Sequence, residues 1–328
     1  MNLWARAAGL VRSGARGALA TIAHTSGSTP VPAGAKMLVG EGGRLDGSVG
    51  GGCVEADVLR IAFAAQEAGR PALVTHHLNA DLAGDVGLSC GGTVRIFVEP
   101  LTRDADYLAA LDAAAAADEG LVTTAIDWSA GPRKTFSGLA AQGRPGDPAA
   151  HISADRRFVV ERLVPAPRVL VFGAGHVGAA IARAAAAAGF RVTVVDDRPE
   201  FADPARFPGV TVRAAPAERA LAELQPGARD AVVVATRGHR NDAEILDRVA
   251  RLSVGYVGLL GSVRKRAVIL KALGAAGAPA DALAAVRVPV GIDIGAVTPE
   301  EIAVSVAAEL VAWRRRPAAP ASGPLRGA

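Results

Sequence analysis

At 328 residues, half of them apolar, the chain is long enough for about two domains with cores of their own. Its net charge of +4 and pI near 9.5 come from scattered arginines, with one short run at Arg314-Arg315-Arg316, and aromatics are only 4%. No basic stripe is interleaved with stacking residues, which sets nucleic-acid binding aside. No run of about 18 apolar residues occurs, so no membrane span is expected. Two cysteines that form neither a CxxC pair nor a disulfide framework point to a reducing, cytoplasmic setting.

The N-terminus carries arginines and no acid before Glu41, as a transit peptide would. It lacks the serine-rich character of one and runs directly into a strand pattern, so a first folded helix is the better reading. Alternation predicts a strand over 16–24, followed by an irregular loop from Thr25-Ser26-Gly27-Ser28-Thr29-Pro30 through Pro32 and Gly34. Strands at 35–39 and 44–48 flank a Glu41-Gly42-Gly43 turn, and a helix runs from Val54 to Gly69. A strand at 71–77, a polar loop from Asn79 to Gly87 and a strand from Thr93 to Glu99 come next. A helix over 103–118, strands at 121–127 and 134–138, a loop at 143–148 and a strand from Phe158 to Val164 complete the first half. Pro165-Ala166-Pro167 marks a boundary between an N-terminal α+β domain, 1–164, and a second domain, 165–316. The Pro-, Ala- and Gly-rich residues 317–328 read as a disordered tail.

Both cysteines sit against glycine clusters: Gly50-Gly51-Gly52-Cys53-Val54-Glu55 and Ser89-Cys90-Gly91-Gly92. Glycine lets a backbone approach a ligand closely and take positive φ at little cost. Cys53 falls in the first turn of a helix, where unpaired N–H groups and the macrodipole favour an anion such as a thiolate. Cys53 and Cys90 are therefore candidate reactive thiols or ligands; the alternative is that both are small buried hydrophobes.

The second domain opens with Arg168-Val169-Leu170-Val171-Phe172, a buried parallel strand, followed at once by Gly173-Ala174-Gly175-His176-Val177-Gly178 and a helix from Val177 to Ala188. The next strand, Val192 to Val195, ends in Asp196. This is the Rossmann signature in its full context, and it predicts a doubly wound parallel sheet. Gly173 makes the tight turn, Gly175 lets a phosphate reach the helix N-terminus, and Gly178 permits close packing of helix on strand. Asp196 would accept hydrogen bonds from a ribose hydroxyl, and His176 either touches a ligand or faces solvent. The fold keeps such glycines for other phosphate-bearing ligands too, so a dinucleotide is one candidate occupant among several.

Further βα units follow, with strands at Val210–Val212, Ala231–Ala235 and Tyr256–Leu260. Thr236-Arg237-Gly238-His239-Arg240-Asn241-Asp242 leaves a carboxyl strand end, where ligands of open α/β sheets gather, which makes His239 a candidate. Arg264-Lys265-Arg266 reads as a solvated helix face or a second anion site. Asp293, among glycines, either meets a ligand or shapes a turn. Thr298, Pro299 and Glu301 form a capping box that opens a helix running to about Arg315.

Gly47-Ser48-Val49-Gly50-Gly51-Gly52-Cys53-Val54-Glu55, Gly87-Leu88-Ser89-Cys90-Gly91-Gly92, Val171 to Gly178, Tyr256-Val257-Gly258-Leu259-Leu260-Gly261-Ser262 and Gly291 to Ala303 occur in one order over roughly residues 15–312. Together they resemble the XdhC/CoxI family of xanthine dehydrogenase accessory proteins. The resemblance implies a chaperone rather than a metabolic enzyme, one that binds molybdenum cofactor (molybdopterin), supports exchange of its terminal oxo ligand for sulfur and delivers it to a xanthine dehydrogenase-type molybdenum hydroxylase. A cysteine desulfurase would supply the sulfur, and a homodimer is expected. Cofactor binding would fall on Gly50, Gly51, Gly52, Cys53, Glu55, Cys90, Gly173, Gly175, His176, Gly178, Asp196 and His239, with Cys53 and Cys90 contacting molybdenum. Thr25 to Lys36 is similar to a family loop but has Val31 where an arginine is common and Ala33 where a proline is. An NAD(P)-dependent oxidoreductase using the Rossmann domain is the alternative, against which no Tyr-x-x-x-Lys pair is found.

Overall fold

The computed structural model describes residues 2–78, 91–138 and 148–315. The chain divides into two units, Met1–Pro165 and Ala166–Ala328. The expected loop at 79–87, most of that at 143–148 and the expected tail lie outside the described residues.

In chain order the first unit comprises α1 (Leu3–Ser13), β1 (Gly17–Ser26), β2 (Lys36–Gly40), β3 (Gly43–Gly47), α2 (Gly52–Ala68), β4 (Ala72–His77), β5 (Thr93–Pro100), α3 (Ala105–Ala116), β6 (Gly120–Ala125), β7 (Lys134–Ser137), β8 (Ala150–Ile152) and β9 (Phe158–Leu163). Two antiparallel sheets result, ordered β3-β2-β1-β5-β4 and β7-β6-β9-β8. Strand β1 is central, and period-two alternation divides it between two cores. Ala18, Ala20 and Ile22 pack with Val54, Val58 and Ile61 of α2. Leu19 packs with Trp4, Ala7 and Ala8 of α1 and Tyr107 and Leu111 of α3. The helices start where side chains satisfy their first N–H groups: Asn2 accepts from Trp4 N–H, and Asp104 from Tyr107 N–H. Only β8, a three-residue strand, has no counterpart in the sequence reading; so short a segment carries too little alternation to be seen.

The two sheets exchange buried charges. Lys36 of β2 pairs with Glu161 of β9, and Lys134 of β7 reaches back to Glu99 of β5 at 2.8 Å. Thr21 and Thr124 accept further bonds from the two ammonium groups at 3.1 and 2.6 Å, and Tyr107 donates to the second Glu99 oxygen at 3.1 Å. The Trp4 ring lies 4.6 and 5.1 Å from the two nitrogens. Burial pushes both amines down, Lys36 to about 7 with the charge of Lys134 adding to the effect, while Glu99 pulls the other way. The side chains of Lys134 and Glu99 are both 0% exposed, so neither charge has water to fall back on. Lys134→Met is accordingly expected to cost roughly 3–5 kcal/mol in denaturant unfolding, because it strands a buried carboxylate. Adding Glu99→Gln should recover most of that loss; a single variant as stable as wild type would show that the pair is not structural.

The second unit comprises β10 (Arg168–Phe172), α4 (His176–Ala187), β11 (Arg191–Asp196), β12 (Thr211–Ala214), α5 (Ala217–Leu224), β13 (Ala231–Val234), α6 (His239–Ala250), β14 (Tyr256–Leu259), α7 (Val263–Ala275), α8 (Ala280–Ala285) and α9 (Pro299–Arg315). All five strands are parallel, in the order β12-β11-β10-β13-β14. This is the doubly wound sheet the sequence predicts. The central strands β10 and β13 read as apolar runs because both faces are covered there: α4 and α9 lie over Val169, Val171 and Val233, while α5, α6, α7 and α8 lie over Leu170, Phe172 and Val232. The capping box forms as expected, Thr298 N–H donating to Glu301 at 2.9 Å and Glu301 N–H to Thr298 Oγ1 at 3.2 Å. Strand order reverses beside β10, so a crevice opens between β10 and β13 at the carboxyl ends of the strands. Among the described residues no helix is long and apolar enough to cross a membrane.

Candidate functional site

In the first unit the chain enters α2 through three consecutive glycines with positive φ: Gly50 at 129°, Gly51 at 77° and Gly52 at 55°. A Cβ at any of these would be strained, so the sequence has little choice there. The turn is braced from behind. Ser48 N–H donates to the Lys36 carbonyl at 2.8 Å, and Ser48 Oγ donates to Glu55 Oε1 at 2.6 Å, an oxygen that Val49 N–H also reaches at 3.4 Å. Glu55, expected among the cofactor residues, is thus engaged in holding the turn, with its side chain only 17% exposed. Cys53, the second residue of α2, is a free and exposed thiol, not the buried hydrophobe of the alternative reading.

The loop that follows β1 touches both glycine clusters. A Cβ on Gly50 would stand 3.4 Å from Pro30, and one on Gly92 would come within 2.2 Å of the Ser28 carbonyl oxygen. Ser28 also bridges to Gly91. One glycine of the first cluster, Gly50, and both glycines after Cys90, Gly91 and Gly92, therefore lie against one short segment, Ser28 to Pro30, although Cys90 itself lies outside the described residues. Among the described residues no group of three or more His, Cys, Asp and Glu side chains gathers into a metal cage.

In the second unit the three glycines of the Rossmann turn separate by role. A Cβ at Gly173, whose φ is 109°, would meet the Ala235 carbonyl oxygen at 2.4 Å, and one at Gly178 would meet the Gly173 carbonyl oxygen at 1.9 Å. Both are packing requirements. Around Gly175 a Cβ would find nothing within 4 Å, and no side chain caps the helix N–H groups behind it. That is the open cradle an anion needs at a helix N-terminus. His176 is exposed in the first turn of α4, and His239 opens α6 behind the positive-φ Gly238. A cleft of about 640 Å³ lies at the carboxyl ends of the strands, lined by Gly173, Asp197, Arg198, Ala217, Arg237 and Asn241 among others. His176 is not part of its lining.

Asp196 departs from expectation. Its carboxylate is 5% exposed and accepts from Ala174 N–H at 2.7 Å, Arg198 N–H at 3.1 Å, and Arg198 Nε and Nη2 at 2.9 Å each. Burial raises its pKa, but Arg198 and the two amide donors outweigh burial and hold it below the usual carboxylate range. Asp196 therefore does not stand ready for a ribose hydroxyl; it closes the glycine turn from inside. Asp293 likewise serves its own turn, accepting from Gly295 N–H at 3.3 Å.

Lys265 is a second correction. It is not part of a solvated or anion-binding charge face but turns inward to Asp242 at 2.5 Å, while Asp242, fully buried, accepts from Thr236 Oγ1 at 2.6 Å. A Cβ at Gly261 would come 2.5 Å from Lys265 Cδ, so that glycine makes room for the lysine stem. The glycine four residues ahead of the lysine was the available signal, and a charge triplet conceals it. Lys265→Met should leave Asp242 buried without its cation, at a cost of roughly 3–5 kcal/mol. Faster amide exchange confined to Thr236–Asp242 and the start of α7 is the expected readout, and unchanged exchange there would rule the brace out.

The comparisons with known proteins follow the same division. The XdhC and CoxI family model matches residues 10–77, in the unit that carries Cys53, and the XdhC Rossmann domain model matches residues 169–310. The chain is 31% identical over 326 residues to a protein of Bacillus subtilis (strain 168) named as a probable xanthine dehydrogenase subunit, covering 91% of this chain and 93% of that protein. It is 26% identical over 302 residues to the molybdenum cofactor insertion chaperone PaoD of Escherichia coli (strain K12), covering 92% and 85%. A crystal structure described as a xanthine dehydrogenase from Bacillus halodurans superimposes with a TM-score of 0.77 at 26% identity, covering 96% of each chain. The glycine turns, the parallel sheet and these matches agree, and the chain belongs to the XdhC and CoxI family.

Proposed function

We propose that this protein is an accessory factor that takes up molybdenum cofactor, supports its sulfuration and passes it to a xanthine dehydrogenase-type molybdenum hydroxylase. The observation that carries the reading is the exposed Cys53 thiol on a rigid three-glycine turn, in a chain that aligns over most of its length with a molybdenum cofactor insertion chaperone. Within the first unit the Cys53 sulfur is a soft donor of the kind a thiophilic metal takes; taken by itself, the second unit offers a phosphate-bearing ligand the open helix N-terminus behind Gly175. The cargo brings its own pterin dithiolene ligands, so a cage of protein donors is not required of the host. A cysteine desulfurase as sulfur donor and a homodimeric, cytoplasmic state belong to the same proposal.

The oxidoreductase alternative loses its support at three points. Asp196 is engaged internally. Tyr107 is fully buried and donates to Glu99, and Tyr256 is buried and donates to Glu309 at 2.7 Å, with burial pushing both phenols up. Neither tyrosine is placed to relay a proton in a hydride transfer.

Protein purified from cells that make molybdenum cofactor is expected to carry it, as measured by metal analysis and by the mass of the released pterin. Cys53→Ala should retain roughly tenfold less, the equivalent of about 1.4 kcal/mol of lost contact. Gly175→Ala, whose Cβ would meet nothing within 4 Å, should lower retention while costing no more than about 1 kcal/mol of stability, the scale of a poorer N-cap residue. Equal retention by wild type and Cys53→Ala would remove the thiol from the mechanism.

A further inference from the structure

The Rossmann cleft has the size of a nucleoside site and sits where such sites sit, outside the carboxyl ends of the strands at the switch in strand order. The group that recognises a ribose there is an acid at the end of the second strand, which in this chain is Asp196. A carboxylate offers about four lone-pair directions. Four donors converge on Asp196: the Ala174 amide, the Arg198 amide and two nitrogens of the Arg198 guanidinium. Nothing is left for the two hydroxyls of a ribose diol.

The guanidinium is held on a second side as well. Arg198 lies 3.8 Å from the centroid of the Phe201 ring, and Phe201 packs on the core beneath α4 and α9. A cation stacked on an aromatic face and forked onto a carboxylate is difficult to displace, since a ligand would have to break both contacts. The Arg198 side chain is still 30% exposed and lines the cleft, so it forms part of the wall that a guest would meet. The neighbouring Asp197 also lines the cleft and is exposed, which makes it the competing acceptor that a test has to separate from Asp196.

We infer that Arg198 is a specificity-determining residue of the Rossmann cleft: seated on Asp196, it shuts out NAD and other nucleotides that are recognised through an unsubstituted ribose diol. The family glycines thus keep their anion cradle while the diol seat is filled from within. This inference does not rest on the cargo proposed above, because it is read with free nucleotides.

Calorimetric titration of the full chain with NAD and with ADP-ribose tests it. Wild type should show no saturable binding at millimolar ligand, whereas Arg198→Ala should bind ADP-ribose at least about tenfold more tightly, the scale of one hydrogen bond to a charged acceptor regained. Arg198→Lys, which keeps the charge but loses the fork, should gain less, and it carries the test if the alanine variant fails to fold. The double variant Arg198→Ala/Asp196→Asn should return to the wild-type result. Wild type binding ADP-ribose as tightly as Arg198→Ala, no gain in either single variant, or a gain that survives in the double variant through Asp197, would each overturn the inference.

Discussion

Glu99, Glu161, Asp196 and Asp242 are buried carboxyl groups, and a carboxylate in such a place is tolerable only when its oxygens are occupied by strong donors. Glu99, Glu161 and Asp242 are occupied from a different element of their unit, and Asp196 by Arg198 two residues on together with the Ala174 amide; each thereby fixes the position of something the apolar cores leave loose. Glu99 and Glu161 tie the two sheets of the first unit together through Lys134 and Lys36. Lys36 in turn presents the carbonyl on which Ser48 hangs, and Ser48 holds Glu55 at the start of α2. Asp196 pins the middle of the Rossmann turn at Ala174, and Asp242 pins the end of β13 at Thr236. Directional bonds to charged groups set these turns because apolar contact alone does not specify orientation.

That arrangement separates residues that build from residues that remain available. Glu55, Asp196 and Lys265 look functional by type and position, yet their polar atoms are already matched within the protein. Cys53 and the space around Gly175 have the opposite character: an exposed free thiol in the first unit, and in the second a helix terminus with no side-chain cap and nothing within 4 Å of a Cβ there.

The family resemblance and most of the fold were legible in the residues. Apolar runs such as Val169-Leu170-Val171-Phe172 and Ala231–Val234 announce a sheet covered on both faces, and Gly173, Gly175 and Gly178 between strand and helix announce its turn. Thr298 and Glu301 announced the start of the last helix, because capping is a local matter of four residues. Where a signal spans few residues, as in β8, the sequence does not display it; where it depends on how side chains are turned in the fold, as at Asp196 and Lys265, residue type alone misleads.

Sequence by itself determined which segments are strand and helix, where the glycines must be, and that a thiol would stand in the first turn of α2, since these follow from periodicity, propensity and backbone sterics within a few residues. Tertiary structure alone decided that Asp196 is claimed by Arg198, that Lys265 faces inward, that Lys134 and Glu99 meet without water, and that Gly50 and Gly92 lie against one loop segment, Ser28 to Pro30. The physical reason is that a charge shows its type in the sequence but not its partner. Whether an acid is free for a ligand or already saturated is fixed by what the fold brings within about 3 Å of it.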